Sequence, residues 1–383
     1  FGGAALNKPT YVVNHFDKPV IQSHYNYLFR QSTDLSKYFG NPLRAFFNDS
    51  FEFKQERIWP KDHLIDFQKQ FGYDPSAYLP SLIETGHDFS MFHWSKIKAK
   101  HEYELGELGQ RFEEDWGQSI SNSFISDFID TSRTFAEKHQ LASRTQAYGF
   151  EFDLIKAAGR TSIPETEQQG GSLLFMKIPA SGAWLYDRPI ISAESFIHKR
   201  RAYMSTVAKI KAQSDQLFMS GVNQIIYHGM PYQIQNPTQR GYGENGWYPF
   251  DSSMFSDDFS EHHPHWDYFP IVNRYISRMQ YLLRLGKPQT DVLVYYPWLG
   301  FPLEGVGEDE PLIAGQFDGE PAVSNESLMP TPFKSSDDDI RESWLRKIQP
   351  VLRSLETKGI SWQWVNSEKL LEARATGGMV QID

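Results

Sequence analysis

The chain has 383 residues, enough for one large domain and part of another. Its formal net charge of −10 and the lack of a large Lys/Arg cluster argue against a nucleic-acid partner, which requires a basic surface. It has no cysteine, which excludes disulfides, thiolate metal sites and cysteine nucleophiles. No apolar run reaches the roughly 18 residues of a membrane span, so we expect no membrane partner either. The 10 Trp, 19 Tyr and 28 Phe fit a large aromatic core, and carbohydrate-binding enzymes also use such rings as platforms for sugars.

Strands and helices alternate in the first third of the chain. Apolar runs and helical spacing predict a strand at 10–14, a helix at 18–30, a strand at 45–49, a helix at 61–71 and a long helical region at 102–141. Gly72 is expected to end the second helix as its C-terminal cap.

The middle of the chain continues the alternation. We predict a strand at 146–150, a short helix at 152–158, strands ending near 167 and 194, a helix at 195–220 and a strand at 222–228. Residues 177–184 give no signal of their own and are interpreted as a connection. About six strand–helix units are recognisable where a (β/α)8 barrel needs eight, so we predict an α/β fold of TIM-barrel type that is incomplete at the N-terminus of this chain.

The segment 229–265 is rich in Gly, Pro, Tyr, Asn and Trp, and we interpret it as a lid or substrate loop, with Trp247 as a candidate for substrate contact. A helix at 266–285 follows. A strand at 291–297, a helix at 340–358 and a strand at 360–365 then form a β-α-β unit. We therefore predict a catalytic barrel portion at 1–288 and the beginning of a second α/β domain at 289–383.

Several predicted strands stop at a carboxylate or a histidine. Asp49 ends the strand at 45–49 and Glu52 follows three residues later. Glu165 and Glu167 end the next example, and Glu194 and His228 end two more, which gives six candidate residues. A buried strand that ends in carboxylates is expected where a parallel barrel meets its active-site face, although each stretch alone could equally lead into a turn or a helix cap.

Carboxylates on one face suggest glycoside hydrolysis, which needs one protonated acid near the leaving oxygen and one carboxylate opposite it. A separation of about 6.5–9.5 Å would lead to inversion of configuration and one of about 5–5.5 Å to retention. A third carboxylate could help to hold a cation such as calcium. A metal-dependent lyase or hydrolase is the alternative.

The order of several motifs resembles glycoside hydrolase family 106, the α-L-rhamnosidases. The resemblance rests on Asn14-His15-Phe16, Asn48-Asp49-Ser50-Phe51-Glu52, Phe71-Gly72-Tyr73-Asp74, Ile163-Pro164-Glu165-Thr166-Glu167, Ile191-Ser192-Ala193-Glu194, Gly221-Val222-Asn223-Gln224 and Tyr227-His228-Gly229. It implies a (β/α)8 catalytic domain, an inverting mechanism and a calcium ion near the rhamnose hydroxyls.

The same resemblance implies roles for individual residues. Glu52 matches the family's general acid, Glu194 its general base, and Asp49 an acid that the family needs for activity. Glu165 or Glu167 matches a further essential glutamate, with Glu167 preferred and assigned to calcium as well as substrate. His228 and Asn223 fit roles in binding or supporting the substrate.

Family members are much longer than this chain, so we expect the rest of the intact protein to complete the barrel. The leading hypothesis is an exo-acting enzyme that removes terminal L-rhamnose from a polysaccharide or glycoside, periplasmic or secreted in bacteria. A barrel glycosidase of other sugar specificity and a non-catalytic carbohydrate-binding protein are the alternatives.

Overall fold

The computed structural model describes residues 12–51, 53, 58–85, 100–167, 173–196, 203, 205–230, 232–233, 247–248, 259–300, 338–377 and 379–382. Its helices, in chain order, are α1 Lys18–Asn26, α2 His63–Phe71, α3 Gly106–Phe124, α4 Asp130–Lys138, α5 Leu154–Arg160, α6 Leu173–Leu185, α7 Val207–Ser220, α8 Phe269–Leu283, α9 Asp338–Thr357 and α10 Ser367–Glu372. One π-helical stretch, Tyr27–Ser32, extends α1, and another, Ile125–Ile129, joins α3 to α4. No helix in these ranges is long and apolar enough to cross a membrane.

The strands are β1 Ala45–Asn48, β2 Glu84–Thr85, β3 Lys100–His101, β4 Ala142–Thr145, β5 Ile163–Glu167, β6 Ser192–Ser195, β7 Gln224–Tyr227, β8 Tyr232–Gln233, β9 Trp247–Tyr248, β10 Val292–Tyr295, β11 Trp362–Val365, β12 Arg374–Thr376 and β13 Met379–Gln381. Five of them form a parallel sheet in the order β1-β4-β5-β6-β7, which curls into half of a barrel. Each consecutive pair from β4 to β7 is joined by one helix, as parallel strands require. The predicted α/β class is confirmed to this extent, and the complete (β/α)8 barrel stays a prediction.

Strand β4 is held by polar contacts. The buried hydroxyl of Ser143 lies 3.2 Å from those of both Thr161 and Ser162, and Asn48 Nδ2 donates to Thr145 Oγ1 at 3.2 Å. The predicted strand at 146–150 is therefore wrong by about one strand length. Ala142–Thr145 has no apolar run, whereas the residues after it are apolar because they pack in the core beyond the strand end.

An aromatic core fills the space between β1, the helices that follow it and the turn after β4. Phe124 is fully buried and contacts Phe16, Phe51, Phe128, Phe150 and Phe152, with ring centroids 4.7–5.7 Å apart. Aromatic pairs at these separations add to the stability gained from apolar burial. The abundance of Phe is thus explained largely by the core.

Residues 177–184, predicted as a connection, lie within helix α6, so that prediction is wrong. The helix is buried on more than one side and therefore lacks the amphipathic period that identifies surface helices. A Cβ on Gly182 would lie 2.4 Å from the carbonyl oxygen of Ile155, which shows how closely α5 and α6 pack. The predicted strand at 10–14 is also wrong where it is described, since residues 12–14 belong to no strand.

The second parallel sheet, β10-β11, packs on α6 through two tryptophans. Lys177 Nζ donates to the carbonyl oxygen of Trp362 at 3.1 Å and lies 4.7 Å from the centre of its ring. Trp364 Nε1 donates to the carbonyl oxygen of Leu174 at 3.0 Å. The predicted β-α-β unit thus consists of β10, α9 and β11 and shares a core with the first sheet, while the domain boundary at 289 stays a prediction.

Candidate active site

Polar side chains gather at the carboxyl ends of the five strands. Asp49 directly follows β1, Gln146 follows β4, Glu165 and Glu167 lie in the second half of β5, Glu194 lies in β6, and His228 follows β7. Because the carboxyl ends of parallel strands share one edge of the sheet, these groups lie together there. In barrel enzymes this edge is where active sites are built.

Glu165 lies at the bottom of the cluster. Its side chain is fully buried, and both carboxylate oxygens are used. Arg144 forms an ion pair with Oε2, Ser192 Oγ donates to the same oxygen at 2.6 Å, and Gln146 Nε2 lies 3.3 Å from Oε1. Burial raises the pKa of Glu165 even though Arg144 opposes the change. The carboxylate is thus fixed in position by its protein partners.

Arg144 is itself held in place from two directions. Its guanidinium carbon lies 4.1 Å from the ring centre of Phe47 in the neighbouring strand β1, and its nitrogen pairs with Glu165 in β5. Stacking on a ring and pairing with a carboxylate are both typical uses of a guanidinium. The cation therefore links three adjacent strands at the edge that carries the cluster.

Glu194 is the carboxylate of this cluster that combines burial with access to solvent. Its side chain is 15% exposed, Oε2 accepts a 2.6 Å hydrogen bond from Gln146 Nε2, and Oε1 lies 3.5 Å from His228 Nε2. Burial raises its pKa to about 7, the Gln146 hydrogen bond opposes this, and negative charge on Asp49 and Glu165 adds to it. A carboxyl group with a pKa near neutrality is suited to proton transfer.

Glu167 lies two residues beyond Glu165 in strand β5 and is largely buried. The phenol of Tyr148 is buried beside it, and burial, with negative charge on Glu167, Glu194 and Glu165, raises the pKa of Tyr148 well above its usual value. Tyr148 therefore stays protonated at neutral pH. The phenol carries one proton, which it can donate in a hydrogen bond to Glu167.

The turn after β4 fixes the segment that carries Asp49. Gln146 N donates to the carbonyl oxygen of Asn48 at 3.0 Å, and Phe51 N donates to that of Tyr148 at 2.9 Å. Gly149 has φ +134°, and a Cβ there would lie 2.4 Å from the carbonyl oxygen of Phe51. Only glycine leaves room for this crossing of two backbones.

The predicted site residues are brought together only in part. Asp49, Glu165, Glu167, Glu194 and His228 lie at the same edge. Asn223 precedes β7, at the opposite end of that strand, where its side chain accepts from Ile191 N and donates to Pro189 O, both at 2.9 Å. Direct contact between Asn223 and a substrate at the catalytic edge does not fit this position.

Two further predicted residues cannot be located in the same way. Glu52 lies outside the described residues. Trp247 lies in strand β9, where its backbone pairs with Gln233, and its side chain is outside the part of the chain that the structure describes. The roles predicted for both stay predictions.

The described part of this edge offers few ligands for the expected calcium ion. Within the described ranges no group of three or more His, Asp or Glu side chains could hold a metal. Glu167 supplies a single carboxylate, whereas calcium takes six to eight oxygen ligands. These residues alone therefore do not form a calcium site.

Gln146 and Arg144 are site residues that the sequence reasoning missed. Both belong to β4 or its end, and the strand was predicted too late in the chain to place them at the edge. The signal that could have identified Gln146 is its position three residues before Gly149, in the segment that crosses Asn48–Phe51. A polar residue just after a strand is weak evidence without the strand's correct bounds.

Comparison with solved structures supports the fold. The chain superposes on a rhamnosidase from Novosphingobium sp. PP1Y with a TM-score of 0.64 and 18% identity, over 98% of this chain and 32% of that one. A beta-galactosidase from the psychrophilic Marinomonas ef1 gives a TM-score of 0.50 and 10% identity, over 95% of this chain and 57% of that one. At these identities the likeness concerns the fold alone.

Comparison of sequences identifies the family. A protein of Formosa agariphila that is provisionally named a beta-glucuronidase is 25% identical over 265 residues, which are 67% of this chain and 20% of that protein. The chain thus spans about a fifth of this curated relative. The model of glycoside hydrolase family 106, described as alpha-L-rhamnosidase, matches residues 4–300. The motifs at the strand ends and this match over most of the chain agree, and the chain belongs to glycoside hydrolase family 106, the alpha-L-rhamnosidase family.

Proposed function

We propose that this chain forms the catalytic part of an exo-acting α-L-rhamnosidase that removes terminal L-rhamnose from a polysaccharide or glycoside with inversion of configuration. The observation that carries the proposal is the position of Glu194 beside Asp49 and His228 at the carboxyl edge of the sheet, in a chain of this family. A carbohydrate substrate follows from the family, and the sugar, the mode of attack and the stereochemistry are proposed.

The proposed reaction uses two carboxyl groups. Glu52 donates its proton to the glycosidic oxygen as the bond from that oxygen to the anomeric carbon breaks. Glu194 takes a proton from water, whose oxygen forms the new bond to the anomeric carbon from the opposite face. Asp49, whose negative charge reaches Glu194, helps to set the protonation of the pair. Each turnover consumes one water, and the acid and base recover their original states through solvent.

The relative named as a beta-glucuronidase makes a glucuronide the second candidate substrate. A uronic acid carries a carboxylate that needs a cationic partner in the site. Arg144 reaches this edge, but it is already paired with Glu165 and stacked on Phe47. Among the described residues of this edge, this engagement of Arg144 with Glu165 and Phe47 favours a neutral sugar such as rhamnose.

We expect the intact protein to release p-nitrophenol from p-nitrophenyl α-L-rhamnoside and to leave the corresponding β-D-glucuronide intact. Proton NMR taken before mutarotation should show β-L-rhamnose as the first product, because inversion converts the α-linkage to the β-anomer. Release of rhamnose monomers alone from a polysaccharide would agree with exo action. Initial formation of the α-anomer would exclude inversion, and turnover of the glucuronide alone would exclude the proposed sugar.

We further propose that the intact enzyme binds calcium, with Glu167 as one ligand and the remaining oxygens supplied by residues outside the described ranges and by the sugar. Removing calcium with EDTA should lower the activity at least about tenfold and reduce the melting temperature by several degrees, since a ligand that binds only the folded state stabilises it. Calcium added back should restore both. Magnesium serves as the control cation, and unchanged activity and melting after chelation would contradict the proposal.

The substrate class also suggests a periplasmic or secreted location, and the sheet suggests a structural partner. In the described sheet β1 and β7 are the outer strands, and unpaired strand edges favour association with other chains. We propose that the remainder of the same protein covers them and completes the barrel.

A further inference from the structure

Gln146 lies between two carboxylates that belong to different strands. Its side chain is fully buried, and Nε2 is 2.6 Å from Glu194 Oε2 and 3.3 Å from Glu165 Oε1. An amide nitrogen carries two hydrogens, so one can be donated to each carboxylate. In their ionised forms both neighbours are acceptors only, which fixes the orientation of the amide with Nε2 toward them.

The Gln146 amide has little freedom to move, because the Glu165 carboxylate that it contacts is itself held in place. Glu165 is held by Arg144 and by Ser192, so the Nε2 atom that it orients has little freedom. The backbone of Gln146 is fixed as well, through the hydrogen bond from its N to Asn48 O at 3.0 Å. Glu194 thus receives a hydrogen bond from a donor that is anchored at both its backbone and its amide.

We propose that Gln146 is a positioning residue that, oriented by Glu165, holds the Glu194 carboxylate in the orientation needed to accept a proton from the attacking water. The inference rests on the proposed role of Glu194 as general base. Gln146 uses its hydrogen bond to one carboxylate oxygen, Oε2, and leaves Oε1 on the side of His228. The oxygen left toward His228 is the one that receives the proton.

The oxygen of the same amide, Gln146 Oε1, also bears on its orientation. Gln146 Oε1 is buried and has no hydrogen-bond partner among the residues that the structure describes. Turning the amide around would place this oxygen against two ionised carboxylates, which opposes that orientation.

The test is a double-mutant cycle on the intact protein with p-nitrophenyl α-L-rhamnoside as substrate. We expect Gln146→Met, which keeps the length but has no N–H donor, to lower kcat about 10- to 100-fold with KM changed less than about threefold. In a Glu194→Gln background the same substitution should change kcat by less than about threefold, because the group it positions is already absent. Equal factors in both backgrounds would mean a structural role and would overturn the inference.

Two further variants distinguish the loss of positioning from a general effect of removing a buried amide. Gln146→Asn keeps the polar amide, which favours folding, but it is one methylene too short to bridge both carboxylates, and it should lose kcat as Gln146→Met does. Gln363→Met removes a comparable buried amide that accepts from Ser181 Oγ at 2.7 Å, far from the catalytic edge, and should leave kcat unchanged. Wild-type kcat in folded Gln146→Asn would overturn the inference. Wild-type kcat in Glu194→Gln would instead refute the proposed base itself, so the two failures are distinguishable.

Discussion

Replacing Glu194 by Gln should lower kcat on an aryl rhamnoside by about 10²–10⁴-fold while KM changes little, because a general base contributes this much to the rate. The amide has the shape of the carboxylate. Its oxygen can still accept from Gln146 Nε2, now at 2.6 Å from Oε2, and its nitrogen can face His228. The fold should therefore persist, and the loss should appear in kcat measured on protein of unchanged melting temperature.

A matched control is available at a distance from the site. Glu368 in α10 pairs with Lys156 of α5 at 2.6 Å and accepts from the hydroxyl of Tyr186, just after α6, at 2.8 Å. Glu368→Gln removes one charge from a comparably hydrogen-bonded carboxylate and should leave kcat unchanged. If Glu194→Gln kept more than about a tenth of wild-type kcat, Glu194 would not be the base.

The pH profile distinguishes a base from an acid at this position. Burial raises the pKa of Glu194 to about 7, and only the deprotonated form can accept a proton. As a base, Glu194 should therefore make kcat/KM rise with pH through about 7 and level off above it. A general acid would give the opposite limb, with activity falling through about 7. Since kcat/KM reports the free enzyme, its profile can be compared directly with this pKa.

The strand ends were predictable where a strand is apolar. The strand at Ala45–Asn48 was predicted to within one residue, since buried parallel strands read as apolar runs, and the end of β5 was predicted near its observed last residue, Glu167. The carboxylates that follow such runs could then be placed at one edge from the rule for parallel strands alone. The sequence therefore led to Asp49, Glu194 and His228 through local pattern.

The parts that could not be predicted depend on contacts distant in sequence. Strand β4 is stabilised by an amide contact from β1 and by a hydroxyl contact with Thr161, just before β5, and no window of residues around Ser143 reveals them. Helix α6 carries the buried Lys177, whose ammonium donates to the carbonyl oxygen of Trp362, 185 residues further along the chain. Hydrophobic periodicity identifies an element that has one face toward water, and neither β4 nor α6 has such a face.

Gly149→Ala should cause the largest combined loss of stability and activity among the glycine substitutions near the site. The added Cβ would lie 2.4 Å from the carbonyl oxygen of Phe51 and 2.7 Å from its nitrogen, at φ +134°. Overpacking and backbone strain together should lower the free energy of unfolding by about 2–4 kcal/mol. Because the displaced segment carries Asp49 and leads into Glu52, a shift of about 1 Å should lower kcat by about 10²-fold in the molecules that remain folded.

Two other glycines separate the causes of that loss. Gly72→Ala has the positive φ, +80°, with no atom within 4 Å of the new Cβ, so it should cost backbone strain only. Gly182→Ala has the clash, 2.4 Å from Ile155 O, but between α5 and α6. It should lower the melting temperature as Gly149→Ala does and leave kcat per folded molecule near that of the wild type. If Gly149→Ala behaved in the same way, the crossing of Gly149 and Phe51 would serve stability alone, and the alignment of Asp49 with Glu194 would have to be maintained by β1 itself.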